Sequence, residues 1–281
     1  MANRITAFRR GPLTFDVVDS GPIDGEPIVL LHGFPQRASS WERVAPLLHD
    51  KGFRTLAPDQ RGYSPGARPR RRRDYAQSEL AADVLALLDE AGISEAHIAG
   101  HDWGAAVAWT LAGHHHDRVR TLTALSVPHP GAFVQAMPRG QILRSWYMAA
   151  FQIPVLPEKL LGWALRTQPD FGARMGLPEP FASRVAAEIG EYGALPGALG
   201  WYRAMFARDP GSAPKRVRVP TTYVWGDADI AIGKVSARLC SAWVEAPFDF
   251  IVLPGADHWL PESRPDDVAA AILDRVTRAD G

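Results

Sequence analysis

Cysteine is almost missing from this 281-residue chain, where Cys240 stands alone. An internal disulfide and a thiolate metal cluster are both excluded, and Cys240, set in an apolar helical pattern, reads as a core residue. Net charge is missing too: 31 Lys and Arg balance 31 Asp and Glu. No global field therefore draws the chain to nucleic acid or to an anionic membrane. No apolar run reaches the length of a membrane span, and Met1 to Thr14 lacks the apolar centre of a secretory signal. The expected setting is cytoplasmic, with neither nucleic acid nor membrane as a partner. The densest charge run, Arg70 to Arg73, is offset by Asp74 and reads as a solvated loop. Internal repeats and low-complexity segments are absent as well.

What is present is an ordinary core-forming composition, 46% hydrophobic and 22% charged, so the chain is expected to fold throughout. Short β-type runs at 13–18, 28–31, 55–57, 97–99, 122–125, 221–225 and 248–253 alternate with helical patterns at 40–49, 77–90, 104–112, 234–244 and 265–277. That alternation predicts an α/β fold, a mostly parallel central sheet flanked by helices. In the second helix Leu80, Val84, Leu87 and Leu88 share one face, as a helix lying on a sheet requires. Between Pro128 and Pro214 the rhythm changes to helical and Pro-rich segments, many of them aromatic, with no clear strand. The expected organisation is a core of residues 1–127 and 215–281 interrupted by a helical cap at 128–214, suited to closing over an apolar pocket.

The chemistry centres on Gly100-His101-Asp102-Trp103-Gly104, which lies between a strand and a helix. Small residues there permit the sharp turn of a nucleophile elbow, whose usual centre is serine. A carboxylate at that centre changes the target. Attack on an ester or amide would give a labile anhydride, whereas attack on an sp³ carbon gives a stable alkyl ester. Taken alone the motif equally describes a helix N-cap. Its companions argue otherwise. In His32-Gly33-Phe34-Pro35 the Phe34 N–H, paired with that of Trp103, is placed to form an oxyanion hole. Asp229 ends Trp225-Gly226-Asp227-Ala228-Asp229, and His258 lies in Gly255-Ala256-Asp257-His258-Trp259, each just beyond a strand where ligands of such sheets bind. Asp227 competes with Asp229 for the acid role. His114-His115-His116 suggests no metal, because consecutive helical residues point different ways. No cofactor or metal is expected.

These segments, with Asp59-Gln60-Arg61-Gly62-Tyr63-Ser64, resemble the epoxide hydrolases of the α/β-hydrolase superfamily, the hydrolase domain of soluble epoxide hydrolase among them. Ser145-Trp146-Tyr147 and Trp201-Tyr202-Arg203 match that family's two tyrosine-bearing cap segments. The resemblance implies the α/β-hydrolase fold and an epoxide opened to a vicinal diol through an alkyl ester on Asp102. It makes His258 the base that activates water, Asp229 its orienting carboxylate, and Tyr147 and Tyr202 donors to the epoxide oxygen. The implied partners are a small apolar epoxide and water; oligomeric state stays open, a homodimer included. Asp257 departs from the family, which usually has glycine before the histidine. Two other readings remain: a haloalkane dehalogenase, against which Phe34 stands where many such enzymes carry a halide-binding asparagine, and a catalytically silent small-ligand binder.

Overall fold

The computed structural model describes residues 3–278. Eight strands, β1 (Ala7–Arg10), β2 (Leu13–Ser20), β3 (Pro27–Leu31), β4 (Arg54–Pro58), β5 (Ala96–His101), β6 (Val119–Leu125), β7 (Thr221–Gly226) and β8 (Phe248–Leu253), form one sheet. Their order is β1-β2-β4-β3-β5-β6-β7-β8. From β4 to β8 all pairings are parallel, while β1 and β2 add an antiparallel edge. The expected α/β architecture is borne out. β1 escapes the sequence reading because its four residues bury a single large side chain, Phe8, between exposed positions; pairing with β2 makes it a strand.

Alternate residues of β3 feed two cores, one on each side of the sheet: Val29 and Leu31 pack with one, Ile28 and Leu30 with the other. The helix Gln77–Glu90 lays Leu80, Val84, Leu87 and Leu88 on the first of these cores, joined there by the helix Trp103–His114, and Cys240 is buried in the same cluster. The helix Pro265–Thr277 covers the opposite side with Val268, Ala269, Ile272 and Val276. Two expected helices are interrupted. The pattern at 40–49 divides into a 3₁₀ turn, Ala38–Trp41, and a short helix, Ala45–His49, with Pro46 in its first turn, where a missing N–H is tolerated. The pattern at 234–244 tightens from α (Lys234–Arg238) to 3₁₀ (Leu239–Trp243).

Between β6 and β7 the described chain forms helices and no strand. Two of these helices, Trp146–Ala150 and Leu195–Ala204, carry Tyr147 and Tyr202. Among the described residues no helix is long and apolar enough to cross a membrane.

Candidate active site

The loops after β3, β5, β7 and β8 meet at the carboxyl ends of the parallel strands, and four of the expected residues stand there. Asp102 occupies the turn between β5 and its helix with φ 52° and ψ −120°, a conformation rare for any residue but glycine. Its side chain makes no capping hydrogen bond to that helix, so the N-cap alternative does not describe it. The carboxylate turns the other way. Its Oδ1 accepts the Phe34 N–H at 2.8 Å, and its Oδ2 lies 3.4 Å from Nε2 of His258. Gly33 makes this approach feasible, because a Cβ there would come within 2.4 Å of Asp102 Oδ1.

His258 is fixed from three directions. Asp229 Oδ2 pairs with its Nδ1 at 2.8 Å, which leaves Nε2 facing Asp102. Its backbone carbonyl accepts from His101 Nε2 at 2.8 Å and from Ser126 Oγ at 2.7 Å. Asp229 is itself anchored, its Oδ1 accepting the Ala231 and Ile232 N–H groups at 2.7 and 2.9 Å. Asp227, the competing carboxylate, instead accepts the Gly255 N–H at 2.6 Å. Asp257 turns away from the imidazole, accepting from the Trp259 N–H at 2.9 Å and Ser263 Oγ at 2.8 Å.

Tyr147 and Tyr202, their rings in edge contact, both line a cavity of about 490 Å³ that also exposes Asp102, His258 and Phe34. Their ring centroids are 6.0 Å apart. Tyr202 packs edge-on to Phe34 at 5.4 Å and to Trp103 at 4.9 Å. Trp103 opens its helix, so its N–H belongs to the first turn, whose amides lack intrahelical acceptors. All seven residues singled out from the sequence thus converge on one place.

The electrostatics follow from burial and proximity. Burial alone would lower the pKa of His258, but Asp229 and Asp102 outweigh it and hold the imidazole well above its ordinary value. Burial alone would raise that of Asp102; the hydrogen bond and charge of His258 reverse this and keep the carboxyl below its usual range. Burial, then the negative charges of Asp102 and Asp229, push the Tyr147 phenol up. Tyr202 is raised by burial, by Tyr147 and by Asp102. Both phenols therefore keep their protons at neutral pH.

Sequence reasoning missed His101 and Ser126. Only the letters of the elbow motif marked the first, and nothing marked the second, because their contact with the His258 carbonyl spans 157 and 132 residues of chain. His101 is fully buried, and that burial lowers its pKa to about 4, so it stays neutral and donates one N–H.

Residues 26–265 match the family model of the alpha/beta hydrolase fold. Epoxide hydrolase A of Mycobacterium tuberculosis is 32% identical, over 93% of this chain and 93% of its own length. Epoxide hydrolase 3 of Xenopus tropicalis is 34% identical over 93% of this chain and 74% of its own. The crystal structure of Epoxide Hydrolase A from Mycobacterium thermoresistibile superposes with a TM-score of 0.82 at 28% identity, covering 96% of this chain and 97% of that one. The chain belongs to the α/β-hydrolase fold family. It is a hydrolase, and its likeness to the epoxide hydrolases extends over nearly its whole length.

Proposed function

We propose that this hydrolase opens an epoxide to a vicinal diol through a covalent ester on Asp102. The observation that supports the reading is a pair of protonated phenols, Tyr147 and Tyr202, lining the same largely apolar cavity as an ionised carboxylate. A ring-opening epoxide generates a strongly basic alkoxide, and acids opposite the nucleophile are what such a leaving group needs. In the first step Asp102 Oδ2 bonds to a ring carbon, the C–O bond breaks, and the oxygen takes a proton from a tyrosine. Oδ1 becomes the ester carbonyl and keeps the Phe34 N–H it already accepts. In the second step neutral His258 removes a proton from water, and the resulting hydroxide adds to the ester carbonyl carbon. The oxyanion forms on Oδ1 within reach of the Phe34 and Trp103 amides. Its collapse releases the diol and restores the Asp102 carboxylate, while the proton taken by His258 returns to the tyrosinate through solvent. The helices of 128–214 act as a cap that brings the two phenols over the core.

The test uses His258→Gln mixed with a panel of aryl and alkyl epoxides and haloalkanes, analysed by intact-protein mass spectrometry. The expected result is an adduct of epoxide mass on the peptide containing Asp102, formed at least ~10²-fold more slowly once both Tyr147 and Tyr202 are phenylalanine. Halide release by the wild type without diol formation, or an unmodified Asp102 in a variant that still consumes epoxide normally, would overturn the reading.

A further inference from the structure

A helix on the surface of a folded chain normally turns its polar residues outward. The helix Leu156–Thr167 does not. Leu161 and Leu165 pack inward, while Leu156, Lys159, Leu160, Trp163 and Arg166, which fall on one face at helical spacing, are all exposed. Just ahead of it Ile153, Pro154 and Val155 are exposed too. Val155 sits at φ 67°, a left-handed conformation that β-branched side chains rarely adopt. Arg203 holds this turn, donating to the Phe151 and Ile153 carbonyls at 3.0 Å each and pairing with Glu158 at 2.8 Å. The apolar turn is thereby braced outward instead of folding onto the core.

The same face reaches the mouth of the Asp102 cavity. Leu143, Trp146 and Ile230 line that cavity and are nonetheless 78%, 69% and 70% exposed, and Leu161 lines it from the inner side of the helix. Trp146 and Trp163 alone leave on the order of 100 Å² each in water. With their neighbours they make a larger apolar patch than a soluble monomer usually presents, and such patches mark contact sites.

Charge indicates what the patch meets. The chain as a whole is neutral, yet residues 137–167 carry four cations, Arg139, Arg144, Lys159 and Arg166, against one acid, Glu158. Arg203 takes up that acid, and the four exposed cations pair with no acid among the described residues. A second copy of the chain suits this face poorly, since a two-fold contact would set like charges against one another. An anionic lipid surface suits it well, taking the cations at its headgroups and the tryptophans and leucines at the edge of its hydrocarbon.

We propose that the helical segment docks on an anionic lipid bilayer through this face, lying on the membrane without crossing it, with the mouth of the Asp102 cavity held against the hydrocarbon. An apolar epoxide dissolved in the bilayer then enters without passing through water. That route for the substrate rests on the epoxide-opening reading; the docking itself does not.

Flotation with phosphatidylcholine vesicles, plain or with about one-third phosphatidylglycerol, tests the proposal. The wild type is expected to float with the anionic vesicles only and to be released as salt rises. Lys159→Glu combined with Arg166→Glu should weaken binding roughly 30-fold or more, since each cation lost near such a surface is worth a factor of about five before any repulsion is added. Leu160→Ser combined with Trp163→Ser should weaken it at least ~10-fold by removing apolar burial. None of these four side chains lines the Asp102 cavity, so turnover of a water-soluble epoxide should stay near wild type in both variants. A wild type that floats with neither vesicle, floats equally with both, or still floats after charge reversal overturns the proposal. So does a dimer in sedimentation velocity that the same substitutions dissolve, which would assign the face to a second copy. The wild-type comparison decides even if a variant does not fold. Flotation uses no substrate, so a chain that binds anionic vesicles and opens no epoxide leaves the docking standing and sinks only the epoxide reading.

Discussion

In the proposed cycle His258 has two duties, a cation beside the resting Asp102 and a base once Asp102 carries the substrate. The geometry supplies the switch. Two of the influences that raise its pKa come from Asp102, a hydrogen bond and a charge, and alkylation converts that carboxylate to a neutral ester. The imidazole pKa must then fall, leaving Asp229 alone to hold it up. The sign for each half-reaction follows. Ester hydrolysis needs neutral His258, so its rate should rise with pH through the lowered pKa of the intermediate and level off above it. Alkylation needs ionised Asp102, whose pKa lies below the usual carboxylate range, and protonated phenols, whose pKa values lie above theirs. It should stay flat across about pH 5 to 9. Rapid-quench single-turnover measurements separate the two steps. A common pH dependence for both would mean that His258 does not change role between them.

At the scale of elements, the elbow depends on how closely the helix Trp103–His114 approaches β3. A Cβ on Gly104 would lie 2.1 Å from the Leu31 carbonyl oxygen and 2.6 Å from that of His32, backbone atoms that no rotamer change can move aside. Gly104→Ala must therefore push the helix off the strand, at a cost of about 3 kcal/mol. It should also open the contact between the Phe34 N–H and Asp102 that the same two elements hold at 2.8 Å. Urea unfolding is the measure: a midpoint equal to wild type would show that the elbow has slack. The need for glycine at this spot was legible in the motif, because a sharp strand-to-helix turn leaves little room. The helices Gln77–Glu90 and Pro265–Thr277 were legible to the residue, since each carries a repeating apolar stripe between clear boundaries. What sequence could not supply were features decided by distant packing. β1 exists through its partner β2, and the 40–49 helical pattern breaks between Trp41 and Ala45, with Pro46 in the first turn of the helix that follows. The choice of Asp229 over Asp227 came from the family resemblance, and its physical basis is where β7 leaves each carboxylate relative to a histidine beyond β8.

Taken whole, the proposed reaction needs two phenols from the helical segment close to a carboxylate at the sheet, and the loop Asp59-Gln60-Arg61-Gly62 joins the two parts. In the sequence that loop stands out only as part of the family resemblance. Gln60 donates its N–H to His32 Nε2 at 3.0 Å, bracing the loop that carries Phe34. Arg61 grips Asp83 with two contacts of 2.7 Å, tying the loop to the helix Gln77–Glu90. The Arg61 carbonyl accepts from Trp201 Nε1 at 2.7 Å, and Trp201 is the neighbour of Tyr202. The Arg70 to Arg73 run, expected to be a solvated loop, adds a second tie, since Arg72 donates to the Arg203 carbonyl and to the Gln152 side chain. Trp201 is 1% exposed, with its ring against Tyr63 at 5.4 Å and Trp103 at 6.0 Å. Trp201→Phe removes the buried donor, strands the Arg61 carbonyl and leaves a void where the larger ring stood. Together these effects should cost about 2 to 4 kcal/mol. The functional consequence should be uneven. Tyr202 loses its anchored neighbour, so alkylation of Asp102 should slow by roughly tenfold or more. Ester hydrolysis, which draws on His258, Asp229 and the Phe34 amide, sits wholly on the sheet side and should change little. Urea unfolding combined with rapid-quench measurement of both half-reactions checks the pair of expectations. If both steps slow equally, Trp201 supports the fold as a whole, and the division of labour between helical segment and sheet is wrong.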